Sequence, residues 1–278
     1  YDGGNFSANS IVGSDGLSGL TSSSGLTVIG SSIGDSINLN INRSDNGSDN
    51  YLSGNYVLTL GAGDDSVSVK MKNGDSIDMG PGDDSVDLLY MGYYGTPSID
   101  NASFVKLDGG TGVDTLVFSA SASTDQILTL TVGGAVNFEN ISGSDANETV
   151  RGDINNNKLS GERGDDAIYG YAGDDELAAG GWAIFNRSSD SEILGNYVND
   201  SGNTDNDNLY GGAGDDVLYG SKGDNILDGG VGTDIIYSGD GSDTFVIRSG
   251  DGSSDLNAID VIKDFSDSND TFGLDIVN

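Results

Sequence analysis

A nine-residue period constrains this chain more than anything else in it. From Leu209 to Val246 the sequence reads LYGGAGDDVLYGSKGDNILDGGVGTDIIYSGDGSDTFV, where glycine, aspartate and an apolar residue return at fixed intervals. Four units run without a gap: GGAGDDVLY (211–219), GSKGDNILD (220–228), GGVGTDIIY (229–237) and SGDGSDTFV (238–246). GNTDNDNLY (202–210) leads into them, and GSDANETVR, GDINNNKLS, GERGDDAIY and GYAGDDELA fill 143–178. GGTGVDTLV (109–117) is a clean copy, LGAGDDSVS (60–68), KMKNGDSID (70–78) and MGPGDDSVD (79–87) form an earlier group, and GSSIGDSIN (30–38) is a faint echo. The unit is G-G-x-G-x-D-x-U-x, with U apolar. Glycines at positions 1, 2 and 4 permit positive φ and close backbone approach, so the first six residues can form a tight turn. The last three read as a short strand with position 8 pointing inward, which puts Val150, Leu159, Ile168, Leu177, Leu209, Leu218, Leu227, Ile236 and Phe245 in the core. Positions 7 and 9 should point outward. Two units make one coil, and stacked coils make two parallel sheets with a thin core.

The aspartates demand a counterion. Stacking places Asp216 one coil from Asp234, and Asp207, Asn225 and Asp243 along the other side. Carboxylates a strand spacing apart repel unless a cation lies between turns. Aspartate oxygens plus turn carbonyls form the all-oxygen shell that Ca²⁺ prefers and Mg²⁺ tolerates poorly. Composition agrees: 45 acidic residues against 11 basic ones give a formal net charge of −34, which repels nucleic acid and anionic lipid and attracts cations. With no cysteine and no histidine, disulfides, thiolate or His-ligated zinc sites and a Ser-His-Asp triad are excluded.

The nonapeptide resembles the RTX (repeats-in-toxin, haemolysin-type) calcium-binding repeat, whose signature it is. The resemblance is strong over 143–246 and patchy over 30–117. It implies an all-β fold, a right-handed parallel β-roll (β-solenoid) with calcium-binding turns, and several bound Ca²⁺ ions. It also implies ligands: the position-6 carboxylate and the carbonyls at positions 2 and 4. In the earlier part of the chain these are Gly63 and Asp65, Asp75, Gly82 and Asp84, and Gly110, Gly112 and Asp114. Later they are Gly164 and Asp166, Gly173 and Asp175, Asp207, and Gly212, Gly214 and Asp216. Gly223, then Gly230, Gly232 and Asp234, then Gly239, Gly241 and Asp243 complete the set. Glu148, Asn157 and Asn225 replace the aspartate, which weakens those sites. Export by a type I secretion system, with folding outside the cell, is implied as well.

Two regions follow. Residues 1–142 read as a metal-poor solenoid with degenerate repeats, or alternatively as a separate β-sandwich. Residues 143–278 read as the roll, with an insertion at 179–201 and a C-terminal cap at 247–278. The cap contains DVIKDFSDSNDTFGL (260–274), whose D-x-I-x-D-F pattern resembles segments that close such rolls, and an open solenoid end needs covering in any case. The insertion carries Trp182, Phe185 and Tyr197, and residues 88–107 carry Tyr90, Tyr93 and Tyr94. These aromatics either shield the thin core or bind a ligand such as carbohydrate. No helix is expected.

The paired carboxylates Asp64–Asp65, Asp83–Asp84, Asp165–Asp166, Asp174–Asp175 and Asp215–Asp216 could in principle serve acid–base chemistry. They recur in register with the glycines, so a structural metal role accounts for all of them together and no catalysis is expected. No apolar run is long enough to span a membrane, and no signal peptide is visible at the start. The chain therefore reads as a fragment, or as a protein exported by another route. The expected function is a secreted, calcium-binding structural protein of the cell exterior: a surface layer, filament or adhesin segment that self-associates through calcium. The alternative is the C-terminal module of a secreted enzyme or toxin.

Overall fold

The computed structural model describes residues 5–7, 11–12, 26–30, 32–39, 55–71, 74–89, 105–118, 126–130, 135–181, 204–248, 251, 259–266 and 268–275. The aromatics Trp182, Phe185, Tyr197, Tyr90, Tyr93 and Tyr94 lie outside them. Every regular element among the described residues is a β-strand. The chain divides into two units: Tyr1–Ala120 with Thr129–Asn140, and Ser121–Leu128 with Ile141–Asn278.

In the first unit, one sheet runs β1 (Asn5–Ser7), β3 (Leu26–Ile29), β5 (Tyr56–Thr59), β7 (Ser76–Asp78), β9 (Lys106–Asp108) and β12 (Ala135–Val136). The intervening strands β2 (Ile11–Val12), β4 (Ser36–Leu39), β6 (Ser66–Val69), β8 (Ser85–Leu88) and β10 (Thr115–Val117) run in order in the other. All pairings are parallel, for example Val67 with Val86 and Leu58 with Ile77. Consecutive strands thus alternate between sheets, as a coil requires. The period-2 pattern decides which side chains enter: Val28, Leu39, Leu58, Val67, Ile77, Val86, Leu107 and Leu116 are all fully buried. On the outer face Lys106 reaches both Asp78, at 2.7 Å, and Asp108, at 2.9 Å.

The second unit repeats this plan with a tighter period. One sheet contains β11 (Gln126–Thr129), β14 (Glu148–Arg151), β16 (Ala167–Ala172), β18 (Asn208–Ala213), β20 (Ile226–Val231), β22 (Thr244–Arg248) and β24 (Thr271–Asp275). The other contains β13 (Asn140–Ser144), β15 (Lys158–Glu162), β17 (Glu176–Ala178), β19 (Val217–Tyr219), β21 (Ile235–Tyr237) and β23 (Val261–Ile262). Register follows the nonapeptide: Ile168 pairs with Leu209, Leu209 with Leu227, and Leu218 with Ile236. All nine expected core residues, Val150 to Phe245, are buried. The segment at 260–274 supplies the last strand of each sheet in this unit. β23 pairs with β21, β24 pairs with β22, and Phe265 stacks on Phe272 at 4.9 Å, both rings against Phe245.

Position 9 departs from expectation. Ala178, Tyr219 and Tyr237, which should face outward, are buried, with Val217 and Ile235 packed against them. The two tyrosine rings stack at 5.3 Å. A short strand offers only two outward positions per coil. Stacking alone does not bury these rings, since Tyr169 and Tyr210, at the same position in the other sheet, stack at 4.8 Å and stay half-buried.

Candidate calcium sites

The turns are built by backbone geometry that L side chains resist. Gly212 and Gly214 have φ of 115° and 142°, and Gly230 and Gly232 have 98° and 158°. A Cβ on Gly232 would strike the carbonyl of Gly214 one coil away, and one on Gly230 would strike that of Gly212. Position-2 and position-4 carbonyls therefore stack along the edge of the unit, each against the next glycine. Where position 2 is not glycine the backbone moves towards the left-handed helical region: Glu162, Tyr171 and Ser221 have φ of 75°, 78° and 67°.

Into this row of carbonyls each coil projects one buried carboxylate. Oδ1 of the position-6 aspartate accepts the N–H of the position-6 residue in the preceding coil. Asp216 N–H donates to Asp234 at 2.9 Å and Asp175 N–H to Asp216 at 2.8 Å, and Asn157 N–H starts the series on Asp175. The second edge runs Glu148, Asp166, Asp207, Asn225, Asp243 in the same manner. These bonds fix the side chains and leave the other oxygen over. Oδ2 of Asp166, Asp175, Asp216, Asp234 and Asp243 is buried without a hydrogen-bond partner. Each of the first four lies against the position-1 glycine of its own turn: a Cβ on Gly161, Gly170, Gly211 or Gly229 would collide with it.

A buried, unpartnered carboxylate oxygen is costly unless its charge is met. The strain appears as proton affinity. Burial, before any neighbouring charge, pushes Asp175, Asp234 and Asp243 up to about 6, Asp216 to about 7, Asp207 to about 8 and Asp166 to about 9. The donors at hand are hard oxygens: one carboxylate oxygen and the turn carbonyls. That set fits Ca²⁺. Among the described residues no three acidic side chains converge on one point, so an ion held here would draw chiefly on carbonyls.

The first unit carries the same construction. Asp35, Asp65 and Asp84 donate backbone N–H to Oδ1 of Asp65, Asp84 and Asp114 at 2.6, 2.7 and 2.8 Å, and Asp114 N–H ends the series on Glu139. Oδ2 of Asp65, Asp84 and Asp114 is buried and unpartnered, and burial raises Asp84 to about 6 and Asp114 to about 7. Gly63, Gly82, Gly110 and Gly112 have positive φ there. Asp75 is buried and accepts the Tyr56 N–H at 2.9 Å. Three rungs of this geometry thus fall in the first unit.

The position-5 residues form a second, exposed ladder of opposite polarity. Oδ1 of Asp64, Asp83, Asp174 and Asp215 accepts a backbone N–H from the following coil: Asp83, Val113, Asp215 and Thr233 respectively, at 2.9 to 3.0 Å. The adjacent acidic pairs therefore split, one member capping the next turn and the other entering the buried site.

Sequence reasoning overlooked Asp35, Glu139, Asp260, Asp264 and Asp270. Asp260 and Asp270 take the last rungs, accepting the N–H of Asp234 and Asp243. Asp264 accepts the N–H of Ser238 and of Gly239. For Asp35, Asp260 and Asp270 a signal existed: each is an aspartate two residues before an apolar strand position. Glu139 carries the same spacing, two residues before Ile141, with glutamate in place of aspartate, and Asp264 has no such signal.

Stacked parallel coils with glycine turns and buried carboxylates along both edges define a β-roll. Residues 142–181, 201–236, 210–245 and 223–253 match the RTX calcium-binding nonapeptide repeat, in four copies. These segments belong to that family, and their repeats bind Ca²⁺. No curated protein matches the chain.

Proposed function

We propose that this is an exported structural protein of the cell exterior, part of a surface layer, filament or adhesin, whose coils are set by calcium and whose molecules associate through it. The family supports calcium binding and a structural role in secreted proteins, and type I export is the route such repeats suggest. No helix among the described residues is long and apolar enough to cross a membrane. The observation that carries the reading is the split of every acidic pair between a capping side chain and a buried rung. This leaves no pair presented together for acid–base chemistry, and the protein is read as non-catalytic. The ligands we assign are the position-6 aspartates with the carbonyls of positions 2 and 4. The exposed Asp64, Asp83 and Asp215 each spend Oδ1 on a cap, and their remaining oxygen is the group through which calcium would join two molecules. The test is negative-stain microscopy at calcium that already saturates folding as followed by far-ultraviolet dichroism: a regular lattice or filament that dissolves in chelator is expected, and a stable monomer overturns the assembly. The cap supports a second reading, a module that follows an enzyme or toxin domain, because Asp260 and Asp270 finish both ladders cleanly. A stable monomer would favour it.

A further inference from the structure

The second edge of the Ile141–Asn278 unit contains one rung that differs in kind. Asn225 stands between Asp207 and Asp243, in the same register and equally buried. Its Oδ1 accepts the backbone N–H of Asp207 at 2.9 Å. A backbone N–H can only donate, so the amide cannot flip without losing that bond and setting donor against donor. Nδ2 must therefore occupy the place that Oδ2 holds in the aspartate turns, beside the position-1 glycine. A Cβ on Gly220 would lie 3.2 Å from it. There it donates to the carbonyl of Gly223 at 3.1 Å. Gly223 is the position-4 residue of the same turn, and its carbonyl is one of the assigned ion ligands.

We infer that Asn225 makes its turn a calcium-free rung, in which a side-chain N–H takes the place of the ion. Resting on the reading that the buried Oδ2 atoms face the ions, this changes the account of Asn225 from a weak ligand to an excluding residue. A neutral oxygen would bind calcium poorly, whereas an N–H aimed at the same carbonyl repels a cation and leaves the carbonyl satisfied. The two edges then differ in calcium demand. On one, Asp175, Asp216 and Asp234 are consecutive ion rungs. On the other, Asn225 separates Asp166 and Asp207 from Asp243 with a rung that holds at any calcium level.

The experiment is anomalous diffraction from crystals of the unaltered protein grown with terbium, paired with equilibrium calcium binding by Asn225→Asp. The inference expects anomalous peaks beside Asp216 and Asp234, none in the Asn225 turn, and a gain of one bound calcium per chain in the variant. A peak in the Asn225 turn overturns it, as does unchanged stoichiometry in a folded variant. If the variant does not fold, the terbium map of the unaltered protein decides alone. Absence of peaks beside Asp216 and Asp234 as well would overturn the ligand assignment beneath it, and the inference with it.

Discussion

Asp234 and Asn225 occupy equivalent positions one half-coil apart, and the difference between a carboxylate and an amide there sets what each substitution does. Asp234→Ala removes both the acceptor for Asp216 N–H and the buried charge, so it should weaken its own calcium site roughly tenfold, the loss of one charge-assisted contact of about 1.4 kcal/mol, and raise the calcium midpoint of folding by a smaller factor. Asp234→Asn should instead reproduce the Asn225 rung: one fewer bound ion, with the fold kept in saturating calcium. Asn225→Ala should leave the calcium midpoint nearly unchanged yet lower thermal stability, because it strips two hydrogen bonds that involve no ion. Calcium titrations followed by dichroism, with melts in excess calcium, check all three. Equal midpoints for Asp234→Ala and Asn225→Ala would refute the distinction. Gly212→Ala tests the turn itself. At φ of 115°, with the Tyr171 carbonyl in the path of any Cβ, it should cost more than about 1 kcal/mol in calcium-saturated thermal melts.

Ladders behave differently from single rungs, because Asp84, Asp114, Asp166, Asp175, Asp207, Asp216, Asp234 and Asp243 are each held by a neighbour's backbone and raised by burial. The sign of the pH effect follows. A carboxyl whose folded pKa lies above its unfolded value of 3.8 favours folding while protonated and opposes it once ionised. Without metal, the chain should gain β structure on acidification from about pH 9 to about pH 4, most steeply below about pH 6, where all these carboxyls are protonated in the fold and ionised in the unfolded chain. Dichroism in chelator, with sedimentation to exclude aggregates, reads this directly; a metal-free β signal that grows with rising pH would contradict it. The cap makes a separate claim. Asp264 spends both oxygens on N–H groups and Asp270 accepts from Ser266 and Asp243, so neither needs an ion. Asp264→Ala should speed amide exchange in β22 and β24 in saturating calcium while leaving the number of bound ions unchanged. How much of this was legible varies by element. Apolar residues at position 8 declared both sheets, since a single face of a short strand admits no other reading. Position 9 misled, because Tyr219 and Tyr237 are buried while Tyr169 and Tyr210, at the same position in the other sheet, are half-buried. The position-5 caps were invisible, as their partners are backbone N–H groups that any residue supplies. The rungs at Asp260 and Asp270 were hidden by a break in the glycine pattern, although the aspartate and its strand residue persisted.

Across the whole molecule, a formal charge of −34 and rows of buried carboxylates oppose folding, while a thin core of single aliphatic layers favours it. Calcium tips that balance at many turns together. The units differ in where the rungs fall, Asp65, Asp84 and Asp114 in one and Asp166, Asp175, Asp216, Asp234 and Asp243 in the other, so both should respond to the ion. Extracellular calcium sites bind in the range of about 10⁻⁴–10⁻³ M, and binding to turns absent from the unfolded chain is also folding. The measurement that bears most directly on this account is far-ultraviolet dichroism of the purified chain at neutral pH, titrated with calcium from full chelation into the millimolar range. The account predicts a largely unfolded spectrum in chelator and a cooperative rise of β signal with calcium, reversed when chelator is returned. A β spectrum already complete in chelator at that pH would contradict it.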